Sequence, residues 1–307
     1  MKIALGTVQF GMSYGIANKL GEVGSPEIER ILQYADRNGV EILDVASSYG
    51  NAESAIGKFI SNQVRSKQWK VITKTPHFKS DIIDQQVDEL LESFKLSLKK
   101  LGQKSIYGLL IHNCDDIFLS GGEKLLQIMD KLKQDGLIEK IGVSLYSGEQ
   151  ISSLLDNYLV DIVQLPINIL DQRLLEGGQL SMLKKYGVEI HARSVFLQGL
   201  LLMPLKNISP WFNPIMNTLE ALHVKASKLN MSTLQLALGF VQSISEVDKV
   251  VVGVNTLNQL REIISATSIY INTEDKTLLY TYYDSYTNRT VCSKINNIII
   301  DIVDLEL

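Results

Sequence analysis

Residues 25–53 read SPEIERILQYADRNGVEILDVASSYGNAE, a helix, a short strand and a polar loop in succession. Ser25-Pro26 starts the helix, since serine caps orphaned N–H groups and proline, which has no N–H, suits the first turn. Ile28, Ile31, Leu32 and Ala35 then recur at helical spacing, and Gly39 ends the run. Val40-Glu41-Ile42-Leu43 forms a short apolar strand that stops at Asp44. A strand entered from a helix and left through a polar residue is one step of a parallel α/β sheet.

The same unit recurs in both directions. Upstream, Lys2–Gly6 is a strand. Downstream, Val71-Ile72-Thr73 leads to Lys74, and a long helix follows with Ile83, Val87, Leu90, Leu91, Phe94, Leu98 and Leu101 on one face, closed by Gly102. Tyr107-Gly108-Leu109-Leu110-Ile111 ends at His112. Further strands are expected at 140–145, 161–165, 188–194 and 249–254, with helices around 122–135, 148–157, 174–186 and 216–244 and a last one from about 256. Eight strands with intervening helices predict a single-domain (β/α)8 TIM barrel over residues 1–270. An open doubly wound sheet would carry a GxGxxG turn after its first strand. Gly6-Thr7-Val8-Gln9-Phe10-Gly11 lacks that spacing. The tail, 271–307, reads as helix followed by an apolar segment, packing on the barrel or serving a dimer contact; monomer and homodimer both stay open.

The bulk numbers agree. A chain of 307 residues accommodates one barrel of about 250 residues with extensions. The net charge of -4 argues against a nucleic-acid partner. Cys114 and Cys292 lack metal-ligand spacing and read as free thiols of a reducing compartment. His77, His191 and His223 do not have the spacing of a zinc site either, so no metal is expected. The opening MKIALGTVQFGMSYG is too broken for a signal peptide, and no run approaches the ~20 apolar residues of a membrane span. A cytoplasmic protein is expected.

Polar residues at the strand ends carry the chemistry. Asp44, Lys74 and His112 close three neighbouring strands, and Tyr49 lies just beyond the first of them. In such barrels, strand ends and the loops after them build the active site. A free tyrosine, with a pKa near ~10, is a poor acid at neutral pH. A lysine cation favours its phenolate, and a carboxylate keeps that lysine charged. A histidine can hold the substrate oxygen or relay a proton. The set suits protonation of an oxygen as hydride reaches its carbon.

The ordered pieces resemble the aldo-keto reductase family across about residues 1–265. They are Gly6-Thr7, the run 42–53 through Asp44 and Tyr49, Ile72-Thr73-Lys74, Leu110-Ile111-His112, Ile141-Gly142-Val143-Ser144, Val163–Asn168, Gln198–Leu201 and Val252–Asn255. The resemblance implies a catalytic tetrad of Asp44, Tyr49, Lys74 and His112. It places Ser144, Gln164 and Asn168 at the nicotinamide carboxamide. Ser194, Phe196, Gln198, Gly199 and Leu200 fall where the family wraps the pyrophosphate. Gly253, Val254, Asn255 and Thr256 match its adenosine-phosphate segment, and Gln259 and Glu262 its 2'-phosphate and adenine contacts. Arg193 stands where the family often has an aromatic residue stacked on nicotinamide. A guanidinium there can stack on a ring or reach an anion.

The implied activity is NADPH-dependent reduction of an aldehyde, ketone or sugar-type carbonyl, in keeping with carbohydrate metabolism. Gln259 and Ile263 replace the arginine and asparagine common in NADPH-selective members, so NADH stays open. Two alternatives remain, a cofactor-binding regulatory subunit and an aldose dehydrogenase working oxidatively. Substrate contacts are expected from Gln9, Phe10, Met12, Tyr14, Trp211 and Phe212 on the loops beyond the strands.

Overall fold

Alternating strand and helix closes into a parallel barrel in the computed structural model, which describes residues 1–62 and 69–269. The strands are β1 (Ile3–Gly6), β2 (Ile42–Asp44), β3 (Lys70–Lys74), β4 (Ile106–Ile111), β5 (Ile138–Ser144), β6 (Ile162–Pro166), β7 (Glu189–Arg193) and β8 (Lys249–Gly253). They pair in sequence order, and β8 returns to β1 with Val252 opposite Leu5 and Gly253 opposite Gly6. Helices follow every strand: α1 (Ser25–Arg37), α2 (Ala52–Ser61), α3 (Asp84–Leu101), α4 (Asp115–Phe118), α5 (Glu123–Gln134), α6 (Gly148–Asn157), α7 (Arg173–Glu176), α8 (Gln179–Lys185), α9 (Met216–Lys228), α10 (Thr233–Ser243) and α11 (Leu257–Ala266).

The strands are apolar on both sides because both sides are covered. Leu5, Leu43, Val71, Leu109, Val143, Val163 and Ile190 join the large cluster shared with the helices. Ala4, Ile42, Ile72, Tyr107, Leu110 and Ile162 form a separate cluster inside the barrel. Polarity enters this interior at the two ends of the strands, and Asp44, Lys74, Ser144 and Arg193 are each the last residue of a strand.

Several expectations are adjusted. Ser25 is already helical, and Gly24 caps α1. Ile83 caps α3 and is exposed rather than part of its buried face. The helix expected over 216–244 is two helices. Ser232 accepts a hydrogen bond from Gln235 N while its own N–H donates to the Gln235 side chain, a capping box that starts α10 afresh. Asn230, at φ 54°, turns the chain before it. Helix α2 did not stand out from periodicity. Its Gly57 lies so close to α3 that an added Cβ would fall 2.0 Å from Lys100 O, so only glycine lets these helices meet. The tail, 271–307, and Cys292 with it, lies outside the described residues. Among those described, no helix is long and apolar enough to cross a membrane.

Candidate active site

The ends of β2, β3 and β4 bring Asp44, Lys74 and His112 together, all buried. The Lys74 ammonium donates to both Asp44 carboxylate oxygens, at 3.0 and 2.9 Å, and to Val45 O at 3.1 Å. Its Nζ lies 5.1 Å from the centre of the Tyr49 ring. The Tyr49 and His112 rings meet edge to face, with centroids 6.1 Å apart. Burial pulls the Lys74 pKa down. The charges of Asp44 and Tyr49, and hydrogen bonds to both, outweigh that and leave it above the ordinary lysine value. Lys74 is therefore a permanent cation beside the phenol.

His112 goes the other way. Burial, then the charges of Lys74, Arg193 and His77, push its pKa down to about 3. It is a neutral imidazole at any working pH, able to donate one ring N–H without adding charge. Thr75 Oγ1 accepts from its backbone N–H at 3.2 Å and ties β3 to β4. Cys114, two residues on, is a buried free thiol pushed far above the usual range, mainly by burial, so it is not a nucleophile.

Neighbours that the sequence left without a part in the tetrad hold it in place. Gln164 Nε2 donates to Asp44 Oδ1 at 2.8 Å. Thr7 Oγ1 donates to Asp44 O at 2.8 Å. Glu53, buried on α2, accepts from Thr73 Oγ1 at 2.8 Å, one residue before Lys74. Tyr49 is set by contact between two loops. A Cβ on Gly11 would fall 2.0 Å from Tyr49 O, and one on Gly50 2.1 Å from Gly11 O. His77 Nδ1 pairs with Asp116 Oδ1 at 2.9 Å and clips the loop after β3 to α4.

All four residues line one cavity of about 390 Å³. From them it runs past Ser144, Gln164 and Arg193, then Ser194, Phe196, Gln198 and Gly199 after β7, to Gly253, Asn255, Gln259 and Glu262 around the end of β8. The other residues expected at a cofactor lie off its walls. Leu200 and Val254 are core side chains. Asn168 is fully buried, donating to Ser194 O at 3.3 Å and accepting from Leu170 N at 2.9 Å, which braces the loop after β6. Thr256 caps α11, its hydroxyl accepting from Gln259 N at 3.2 Å. Of the expected substrate contacts, Gln9 and Tyr14 line the cavity; Phe10 and Phe212 are core, while Met12 and Trp211 are exposed.

The outer part of the cavity is built by backbone. Ser194, Leu197, Gln198 and Gly199 all have φ between 47° and 88°, a tightly wound loop in a region that side chains avoid. The loop after β1 reaches across to it, with Ala17 N donating to Gln198 O at 3.2 Å. Gln9 Oε1 is buried without a hydrogen-bond partner beside Gly253, where a Cβ would fall 2.6 Å from it. The orphaned Gln9 acceptor and the polar side chains of Asn18, Ser194, Gln198, Asn255 and Gln259 along the walls fit an elongated ligand carrying hydroxyl and other polar groups.

A model of the aldo/keto reductase family matches residues 2–280. The chain is 24% identical over 281 residues to the NADH-specific methylglyoxal reductase of Escherichia coli (strain K12), spanning 82% of this chain and 86% of that protein. It is 28% identical over 141 residues to an aldo-keto reductase of Mycobacterium sp. (strain MCS), 45% of this chain and 46% of that one. Its backbone is similar to the holo form of an aldo-keto reductase from Bacillus halodurans, with a TM-score of 0.74 at 19% identity over 91% of each chain. A glycerol dehydrogenase from Gluconobacter oxydans gives 0.72 at 20% identity, over 94% of this chain and 91% of that one. Family match, barrel and strand-end constellation agree, and the chain belongs to the aldo/keto reductase family of NAD(P)-dependent oxidoreductases.

Proposed function

We propose that the enzyme reduces the carbonyl of a small aldehyde, ketone or sugar-type substrate, with Tyr49 as proton donor and the long cavity as the dinucleotide site. The observation that carries this is Lys74, held by Asp44 and 5.1 Å from the Tyr49 ring, in a cavity lined by both. The bound nicotinamide supplies the hydride. The chain's own residues do the rest. The neutral His112 donates a hydrogen bond to the carbonyl oxygen. Tyr49 gives that oxygen its proton as the carbon gains hydride, so the C=O becomes CH–OH. Lys74 stabilises the phenolate left behind, Asp44 keeps Lys74 charged, and solvent restores the phenol.

NADH is the better fitting reductant. Gln259, an uncharged amide, lines the cavity at the position matched to the family's 2'-phosphate contact, where NADPH-selective members commonly carry an arginine. The Gln259 amide oxygen already accepts from Asn255 N at 2.7 Å. A neutral amide offers the extra phosphate of NADPH no charge to pair with. The relative from Escherichia coli is, by its name, NADH-specific.

The test is oxidation of NADH and NADPH against small aldehydes, ketones and aldoses, with wild type and Tyr49→Phe side by side. Wild type should turn over at least one class, faster with NADH. Tyr49→Phe should lose about 10²–10⁴-fold in kcat, the range for a general acid, while binding the dinucleotide as before. Equal turnover by the variant would sink the reading.

A further inference from the structure

We infer that Arg193 gives the site a redox bias, favouring the reduced, uncharged nicotinamide over the oxidised, cationic one. This rests on the reading of the cavity as a dinucleotide site. Arg193 is the last residue of β7 and is only 9% exposed. Its Cζ lies 4.3 Å from the centre of the Tyr146 ring, and Nη1 donates to Ser194 Oγ at 3.2 Å. Stack and hydrogen bond fix the guanidinium in the wall of the cavity that Tyr49 and His112 also line. A guanidinium keeps its charge inside proteins.

Chemistry limits where the hydride donor can be. The carbonyl oxygen must lie within hydrogen-bond reach of Tyr49 or His112. The donor carbon must then approach the carbonyl carbon to about 3–3.5 Å. The reacting ring therefore shares the inner end of the cavity with Arg193. The field of Arg193 acts there, because it is one of the charges that keep His112 neutral. It acts in the same sense on any other group there that gains positive charge. Reduced nicotinamide is neutral and its oxidised form is a cation, so the fixed charge weakens only the second. The bias favours carbonyl reduction and early release of the oxidised dinucleotide.

The experiment is a pair of dissociation constants, for NADH and NAD+, by calorimetric titration of wild type, Arg193→Gln, Arg193→Met, Arg193→Lys and Tyr146→Leu. Wild type should bind NADH more tightly. Arg193→Gln and Arg193→Met should lower the ratio of the two constants by about tenfold, chiefly by tightening NAD+, as expected for one unit charge acting across a few ångströms of partly screened space. Arg193→Lys and Tyr146→Leu, which keep the charge, should leave the ratio near wild type. If the methionine variant does not fold, the glutamine variant keeps much of the side chain's length and polarity. An unchanged ratio in the neutral variants overturns the inference while dinucleotide binding, and with it the proposed function, still stands. Failure of wild type to bind either form defeats that function and the inference together.

Discussion

The two ends of this barrel hold the same four kinds of side chain. At the C-terminal ends of the strands stand a carboxylate, a lysine, a tyrosine and a histidine: Asp44, Lys74, Tyr49 and His112. Toward the N-terminal ends stand Glu189, Lys140, Tyr107 and His191. In each group the lysine Nζ lies 5.1 Å from the centre of the tyrosine ring. The wiring differs. In the lower group the Tyr107 hydroxyl donates to Glu189 Oε2 at 2.8 Å, the same oxygen that Lys140 contacts, and His191 Nε2 lies 2.7 Å from Glu189 Oε1. Burial first, and Glu189 besides, raise the Tyr107 pKa. Burial also pushes the Glu189 carboxyl up, but bonds from His191, Lys140 and Tyr107 hold it well below the usual carboxylate range. The phenol proton is thus committed to a carboxylate, and none of the four lines the cavity shared by Asp44, Tyr49, Lys74 and His112. In the upper group the carboxylate is taken by Lys74 and Gln164, and the phenol borders space for a ligand. What separates the proposed proton donor from its counterpart is the order of connection and access, not the residue types.

The sharpest contrast comes from the two lysines. Lys74→Met should cost about 10² or more in kcat and about 3–5 kcal/mol of stability, because it leaves Asp44 charged and buried. Lys140→Met should cost about 1–3 kcal/mol and leave kcat within about twofold of wild type, an ordinary result for a change remote from the chemistry. Chemical denaturation and steady-state assays check both. Comparable kcat losses would erase the distinction between the ends.

Tyr107→Phe is a smaller probe. It removes one buried hydroxyl and should cost about 1 kcal/mol with no change in kcat, read from the denaturation midpoint. The smallest effect expected is in the pH profile. With its pKa down to about 3, His112 should not titrate between pH 5 and 8, so kcat should show no imidazole step there. Because that pKa is depressed on folding, the unfolded chain binds the extra proton between about pH 3 and its ordinary value near 6.5. Stability should therefore fall as pH drops through that window, and His112→Gln should flatten that fall.

Much of the upper end was legible because the fold writes it linearly. Asp44, Lys74 and His112 each close a short, mostly apolar strand run, and that is how a barrel strand meets the face where sites are built. Tyr49 came from its place in the loop just beyond Asp44 and from the family resemblance; the close packing of that loop through Gly11 and Gly50 was not readable. The lower end was not legible. Glu189 and His191 share one strand, but Tyr107 and Lys140 reach them from two others, and register across the barrel brings them together. Glu53 lay within the quoted run without a part to play, since its bond to Thr73 depends on how α2 packs. The break between α9 and α10 was written as Ser232 and Gln235, three apart, but the continuous apolar pattern around it masked the cap.

The most direct measurement is the pH dependence of single-turnover carbonyl reduction in wild type and Tyr49→Phe. The wild-type rate should fall as pH rises through the loss of one proton, and the small residual rate of the variant should show no such fall. A variant that keeps both the rate and its alkaline decline would show that another group supplies the proton.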